Sequence, residues 1–115
     1  MKSKDDIVKD WLPRYTGNAL ESFGEFIILT NFFHYIELFA RWHDVPVKGV
    51  EYNMPNATHS GITIIDFGMG SPNAATIMDL LSAIPPKAVL FLGKCVGLKK
   101  KNILGVFILL IAVIL

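Results

Sequence analysis

The sequence predicts an α/β protein whose central sheet is at least partly parallel. Short runs rich in Ile, Val and Phe, which are typical of strands, alternate with segments in which apolar residues recur at helical spacing. The chain is also 52% hydrophobic and only 18% charged, which suits strands buried on both faces and argues against disorder. A length of 115 residues favours one domain.

Helix and strand signals follow one another along the whole chain. The predicted strands are residues 25–29, 45–50, 61–67 and 88–92, with one or two more in the apolar run 103–115. Three helices are predicted. They are residues 3–12, capped by Ser3 and ended by Pro13; residues 32–43, capped by Asn31 or Thr30; and a helix that is capped by Ser71, begins at Pro72 and runs to about residue 84. Residues 51–59 are predicted to form a loop.

The apolar run 103–115 has a second interpretation as a membrane tail. Lys99, Lys100 and Lys101, which precede it, would suit a membrane flank. A helix of this length would span about 20 Å, however, which is less than the roughly 30 Å hydrocarbon core of a bilayer. We therefore favour a buried strand, because Ile and Val are frequent in the run.

Charge and cysteine content exclude several classes of partner. The net charge is +1, with 11 basic and 10 acidic side chains, so nucleic acid is not an expected partner. The single cysteine, Cys95, excludes an internal disulfide and a multi-cysteine metal site, and it suits a reducing cytoplasm. His34, His43 and His59 lack metal-ligand spacing. We expect neither a metal nor a cofactor.

The loop after the third predicted strand has the composition of a ligand-binding turn. Gly68 and Gly70 lack side chains, so their backbone N–H groups can approach a ligand, and the next helix points its N-terminus at the same place. A simple tight turn with a good cap is the alternative interpretation. The loop is not a dinucleotide-binding G-x-G-x-x-G motif, because the third glycine position holds Asn73.

A second candidate loop, residues 91–101, follows the fourth predicted strand. Lys94 could bind a phosphate as a point charge. Cys95 could be a nucleophile, but nothing in the sequence identifies a base to activate it, so a buried structural cysteine is favoured. A Walker loop is excluded, because it would need Gly at Ala88 and Ser or Thr at Cys95.

These two loops together resemble those of the nucleoside phosphorylase and nucleosidase superfamily. Residues 68–72 (GMGSP) match its glycine-methionine-glycine-x-proline loop, and residues 93–95 (GKC) match its later strand-end loop. The segments IVKDWLPRYTG, FIILTNF and FARWHDVPV look like the AMP nucleosidases within it. The resemblance covers residues 6–102.

The resemblance implies a fold, a reaction and an assembly. The fold is a three-layer α/β/α sandwich with a mixed central sheet, in which residues 1–115 form a single partial domain, the N-terminal half of the family's domain. The reaction is hydrolysis of AMP to adenine and ribose 5-phosphate, without a cofactor. Members assemble as homo-oligomers, commonly hexamers.

The resemblance also implies a set of substrate-binding residues, which are Asn31, Gly68, Met69, Gly70, Lys94, Cys95 and Val96. Met69 would lie against the ribose, Lys94 would contact phosphate, and Cys95 and Val96 would line the base. Asn31 falls where the phosphorylases carry a phosphate loop, although their Gly-Asp-Pro-x-x-Arg pattern is absent here.

Three departures from the family pattern bear on activity. The family usually has Gly at the position of Val96, and a Val side chain there would crowd the base or prevent a positive φ. Relatives tend to carry Asp, Pro and Arg at Val106, Leu110 and Leu115. The family's ribose-binding Glu and catalytic Asp, which protonates the purine, lie in a C-terminal half beyond Leu115. The catalytic residues are therefore unassigned, and we expect little or no turnover by this chain alone.

Two other functions remain open at this point. One is a phosphorylase, which would use phosphate in place of water. The other is a non-catalytic module that binds a nucleotide or docks through an exposed sheet edge. Asp66, beside the glycine loop, could be a general acid or ligand, but a turn-capping role is favoured.

Overall fold

Five strands pair into one sheet in the computed structural model, which describes residues 3–68, 71–96 and 106–113, with residues 71, 94–96 and 106–113 described by their backbone alone. The strands are β1 (Phe26–Thr30), β2 (Asn56–His59), β3 (Ile62–Asp66), β4 (Ala88–Val96) and β5 (Val106–Val113). The helices are α1 (Lys4–Thr16), α2 (Phe33–His43) and α3 (Ser71–Leu80), with 3-10 turns at Leu20–Ser22 and Leu81–Ala83.

The sheet is mixed, with its parallel strands at the centre. The strand order is β2-β3-β1-β4-β5. Strand β1 pairs in parallel with β3 on one side and with β4 on the other, whereas the outer strands β2 and β5 run antiparallel to their neighbours. The predicted α/β class with partial parallel pairing is confirmed.

Helices cover the two faces of the sheet and form separate cores. Alternate residues of β1 point to opposite faces: Ile27 and Leu29 pack in one cluster, while Ile28 packs against the other. The larger cluster holds side chains of α1, α3 and the sheet, including Val8, Leu12, Ile65, Ile77 and Val89. The smaller cluster joins α2 to the sheet through Ile36, Ala40, Ala57 and Ile64. This arrangement is the expected three-layer α/β/α sandwich.

The placement of α2 and α3 on opposite faces follows from crossover handedness. The connection from β1 through α2 leads to β3 on one side of β1, and the connection from β3 through α3 returns past β1 to β4. Parallel crossovers are almost always right-handed. Because the two crossovers run in opposite directions along the sheet, right-handedness puts their helices on opposite faces.

Helix α1 confirms one terminal prediction and contradicts the other. The Ser3 side chain accepts a hydrogen bond from the Asp6 N–H at 3.2 Å, so the predicted N-cap is present. Pro13 does not end the helix but lies inside it, and the helix continues to Thr16. Gly17 is the C-cap, and its left-handed φ of 63° allows its N–H to donate to the Pro13 carbonyl.

Helix α2 has the predicted extent but not the predicted cap. Its N-cap is Phe32, whose own side chain makes no capping hydrogen bond. The Thr30 hydroxyl instead accepts from the Phe32 N–H at 3.2 Å, which fixes the short connection between β1 and α2. Asn31 is not the cap.

The second strand forms later in the chain than predicted. Residues 45–50 contribute only an isolated bridge between Lys48 and Asn56, while Asn56–His59, predicted to be loop, is β2. Ser60 and Gly61 join β2 to β3 with φ angles of 49° and 82°. Positive φ at both residues of a two-residue turn is the geometry that best matches strand twist, so the hairpin selects β2 as the partner of β3.

The fourth strand extends beyond its predicted end. Gly93 does not close β4, which continues to Val96 because β5 supplies antiparallel partners from Val106 to Val113. The strand β5 confirms the strand interpretation of most of the apolar run, and Gly105 lies outside the described residues. Across the described part of the chain, no helix is both long and apolar enough to span a membrane.

Candidate functional site

The carboxyl ends of three parallel strands form the candidate site. Thr30, at the end of β1, pairs with Asp66 of β3 on one side and with Leu92 of β4 on the other. The segments that follow these residues therefore leave the sheet at one edge. In α/β sheets, ligands bind beyond this edge, where neighbouring connections diverge to opposite faces.

The two glycine-containing segments lie on either side of β1 at this edge. Strands β3 and β4 are both hydrogen-bonded to β1, so their ends are two strand spacings, or about 10 Å, apart. The connections from β1 and β3 lead to helices on opposite faces, which opens a crevice beyond β1. The strand register therefore places the starts of both segments at one edge of the sheet.

A side-chain hydrogen bond shapes the turn after β3. The Asp66 Oδ1 accepts from the Gly68 N–H at 2.9 Å, and the Gly68 backbone has a left-handed φ of 82°. A Cβ at Gly68 would lie 3.0 Å from the Asn73 side chain, so glycine also relieves crowding there. This hydrogen bond supports the turn-capping role that the sequence favours for Asp66. Met69 and Gly70, which follow, lie outside the described residues.

Helix α3 points its N-terminus at the same edge. It begins at Ser71, one residue earlier than predicted, directly after the turn that leaves β3. The first N–H groups of a helix have no partner within the helix, and the helix dipole adds partial positive charge there. The edge therefore favours an anionic group such as a phosphate.

Hydrogen bonds anchor the end of β1 between the two flanking segments. Thr30 is fully buried, and its carbonyl accepts a 3.0 Å hydrogen bond from the Phe67 N–H of the neighbouring connection. Its hydroxyl holds the Phe32 N–H, as noted above. Asn31, half-buried, lies between these two anchored residues and so emerges at the centre of the edge. Sequence reasoning missed Thr30 as a site-shaping residue, although a threonine at a strand end is a known turn signal.

Lys94, Cys95 and Val96 are strand residues and not part of a loop, contrary to the prediction for residues 91–101. Their backbones pair with Ile108, Phe107 and Val106 of β5. The reason is physical: β1 stops at Thr30, but β5 keeps the ladder of β4 paired beyond Leu92. At about 3.3 Å per residue, Val96 lies roughly 13 Å past the end of β1. The backbone of this projection therefore lies beside the space beyond β1, and the side chains of all three residues lie outside the described part.

Within the residues that the structure describes, no three His, Cys, Asp or Glu side chains are grouped so as to hold a metal ion. His43 and His59 do meet, with stacked rings 4.4 Å apart between centroids, but they lie at the end of α2 and the end of β2. His59 is at the amino-edge turn into β3, since it pairs with Ile62, so the histidine pair is remote from the carboxyl edge.

Comparison with known proteins identifies relatives of this chain. No protein-family model matches the sequence. AMP nucleosidase from Escherichia coli K12, like that from Escherichia coli O157:H7, is 27% identical over 85% of this chain. The crystal structure of AMP nucleosidase from Bacteroides thetaiotaomicron VPI-5482 is similar with a TM-score of 0.81 and 60% identity over 84% of this chain.

The chain spans 28% of the length of the curated relatives and 42% of the crystallised chain. The similarity thus extends over most of this chain but over less than half of each relative. In sequence and in fold, the chain is similar to part of these AMP nucleosidases.

Proposed function

We propose that this chain supplies part of the nucleotide pocket of an enzyme that hydrolyses AMP to adenine and ribose 5-phosphate. The observation that carries the proposal is the pairing of Thr30 with both Asp66 and Leu92, since it sets both glycine-containing segments at one edge. The names of the relatives, which are AMP nucleosidases at 27% and 60% identity, support the same reaction.

The proposed roles follow the layout of that edge. Backbone N–H groups around Gly68 and Gly70, together with the N-terminus of α3, would face the polar part of the nucleotide. Met69 would contact the ribose. Asn31, at the centre of the edge, would face the same part of the nucleotide as the α3 N-terminus.

On the other wall of the crevice, Lys94 would add a positive charge for phosphate, and Cys95 and Val96 would line the base. Their position on the β4 extension supports these roles, because that extension is the part of β4 that reaches past β1. We propose no metal and no cofactor for the reaction.

We assign proton transfer to residues outside this chain. Departure of adenine from AMP requires a general acid to protonate the purine ring, because the neutral base is a better leaving group than its anion. By resemblance, an Asp fulfils this role and a Glu binds the ribose, both in the region of the relatives that this chain does not span. We thus treat residues 1–115 as part of a larger domain that acts as a cytoplasmic homo-oligomer.

A chimera tests the proposal. Residues 1–115 would replace the aligned region of the Bacteroides thetaiotaomicron AMP nucleosidase, and adenine release from AMP would be followed by chromatography. We expect AMP-dependent adenine release without added phosphate, and little or none from the 115-residue chain alone. A chimera that folds and assembles like the relative but releases no adenine would contradict the proposal. Release that requires phosphate would instead identify a phosphorylase.

The chimera also tests the departure at position 96. Val96→Gly, which restores the residue usual in the family, should lower KM for AMP if the Val side chain crowds the base. Val89→Ala in the fully buried core is a useful contrast, because it should lower thermal stability and leave KM unchanged.

A further inference from the structure

Thr30 makes hydrogen bonds to both of the connections that leave β1 and β3 at the candidate site. It is the last residue of β1 and is fully buried. Its hydroxyl accepts a hydrogen bond from the Phe32 N–H at 3.2 Å, and its carbonyl accepts one from the Phe67 N–H at 3.0 Å. The same residue therefore holds the start of the connection to α2 and the start of the connection to α3.

Each of these hydrogen bonds lies next to a residue that is proposed to contact the nucleotide. Asn31 follows Thr30 directly, and the bond to the hydroxyl closes a short turn around it. Phe67 directly precedes Gly68, whose own N–H donates to the Asp66 carboxylate. The position of Asn31 relative to Gly68 is thus set by hydrogen bonds of which Thr30 makes two.

The hydroxyl of Thr30 also orients the first turn of α2. The Phe32 N–H donates to that hydroxyl, while the Phe32 carbonyl accepts a 3.1 Å hydrogen bond from the Tyr35 N–H. A rotation of the backbone at Phe32 would therefore move Asn31 and the start of α2 together. The hydroxyl is the side-chain group of Thr30 that opposes such a rotation.

We propose that Thr30 is a positioning residue for AMP, whose hydroxyl holds Asn31 at the separation from Gly68 that the nucleotide requires. The inference rests on the proposed function and deepens it, because Thr30 is fully buried and acts without contact to the nucleotide. A site that is held in place before binding loses less free energy in ordering its groups. Conversely, a displacement of about 1 Å in a positioning group can lower the rate about 100-fold.

Two substitutions in the chimera separate the hydroxyl from the packing of the side chain. Thr30→Val removes the hydroxyl and keeps the branched shape. We expect kcat/KM for AMP to fall about 10-fold or more, mainly through KM, because the proton-transfer groups are assigned to residues outside this chain. Thr30→Ala, which also lacks the hydroxyl, should raise KM in the same way.

Thr30→Ser tests whether the hydroxyl alone is sufficient. It keeps the acceptor for the Phe32 N–H and loses one buried methyl group. Its thermal stability should fall because of the small cavity, whereas its kcat/KM should stay within about twofold of the unchanged chimera. A merely structural role of Thr30 would make activity follow stability instead.

Thr63→Val is the matched control at the other end of the sheet. Thr63 is also fully buried, and its hydroxyl accepts a hydrogen bond from the Gly24 N–H at 2.8 Å. It is the second residue of β3 and pairs with Ile27 near the start of β1, away from the carboxyl edge. The substitution should lower thermal stability and leave KM for AMP unchanged.

Hydrogen exchange followed by mass spectrometry tests the anchor without AMP. Peptides that cover residues 31–33 should exchange about 10-fold faster in Thr30→Val than in the unchanged chimera, and Thr30→Ser should restore the slow rate.

Three outcomes would overturn the inference. They are unchanged exchange at residues 31–33 in Thr30→Val, an equal rise in KM in Thr30→Val and Thr30→Ser, and an equal rise in KM in Thr63→Val. An unchanged chimera that folds but releases no adenine would contradict the proposed function, and the inference with it. An active chimera whose variants behave alike would contradict the inference only.

Discussion

The carboxylate of Asp66 accepts a 2.9 Å hydrogen bond from the backbone N–H of Gly68, at the turn where β3 leaves the sheet. The bond fixes Gly68 in its left-handed conformation and so sets the direction in which the chain enters the glycine loop. A side chain of β3 therefore fixes the backbone at Gly68, where the chain enters the segment that is proposed to contact the nucleotide.

Removing that acceptor should loosen the turn. Asp66→Ala should lower the free energy of unfolding by about 1 kcal/mol, the net value of a typical hydrogen bond. Asp66→Asn keeps a carbonyl oxygen that can accept from Gly68 and should cost less than half as much. Urea denaturation followed by tryptophan fluorescence measures both. Equal losses in the two variants would show that the negative charge, and not the acceptor, matters.

A buried amide ties the N-terminal helix to the β2 region. Asn56 is fully buried, and its Nδ2 donates to the carbonyls of Thr16 at 2.7 Å and Met54 at 3.0 Å. Its Oδ1 accepts from the Asn18 side chain at 3.2 Å. These partners lie at the end of α1 or in the loops that follow, where helix or strand hydrogen bonds are lacking. The Asn56 side chain supplies hydrogen bonds to them instead.

Asn56→Ala should therefore be strongly destabilising. It leaves several buried groups without their partner, at about 1–3 kcal/mol each, so the unfolding free energy should fall by roughly 3 kcal/mol or more. Asn53→Ala, an exposed residue in the preceding loop, is the control and should change it by less than about 0.5 kcal/mol. Thermal or urea denaturation compares them, and similar effects in both would refute the importance of the buried amide.

Two glycines with the same backbone conformation should respond differently to alanine. Gly49 and Gly61 have φ angles of 78° and 82°. A Cβ at Gly49 would lie 2.3 Å from the Thr16 carbonyl oxygen, whereas a Cβ at Gly61 would meet no atom within 4 Å.

Gly61→Ala should cost only the backbone penalty of about 1–2 kcal/mol. Gly49→Ala should cost clearly more, because backbone must move to relieve the clash. The difference in urea midpoint between the two variants measures the steric part alone. No difference would mean that the Thr16 region shifts without cost.

The proline inside α1 should lower the stability of the protein. Pro13 cannot donate to the carbonyl four residues earlier, and an interior proline costs about 3 kcal/mol relative to alanine. Pro13→Ala should raise the unfolding free energy by about 1–3 kcal/mol. The exposed Pro46 should show the opposite effect. Pro46→Ala should lower the unfolding free energy by about 0.4–1 kcal/mol, because it increases the conformational entropy of the unfolded chain. Destabilisation by Pro13→Ala would contradict this account of the helix.

Local signals in the sequence predicted the parallel part of the sheet well. Strands β1 and β3 are each a short Ile-rich run and lie within one residue of their predicted bounds. The apolar spacing of α2 likewise located that helix. These elements depend on burial patterns that are visible in a short window.

The errors arose where partners distant in sequence decide the structure. The sequence predicts that Pro13 stops α1, but burial of Leu12 and Thr16 against the fold holds the last turn in place. Gly93 was expected to end β4, but pairing with Leu109 of β5 carries the strand through it. The sequence does not predict β2, because three of its four side chains are polar, although the Ser60-Gly61 turn signal is present. The site was predictable as a strand-end edge because parallel strands bring their carboxyl ends together.

The most direct test of the proposed nucleotide edge is an AMP titration of the ¹⁵N-labelled 115-residue chain, followed by amide chemical shifts. The account predicts changes at Asn31 and Gly68, just beyond the ends of β1 and β3, and at Gly93, where β4 extends past β1. The changes should be smaller when adenosine, which lacks the phosphate, replaces AMP. Shifts confined to residues remote from this edge, such as those at the end of α2, or no shifts at millimolar AMP, would contradict it.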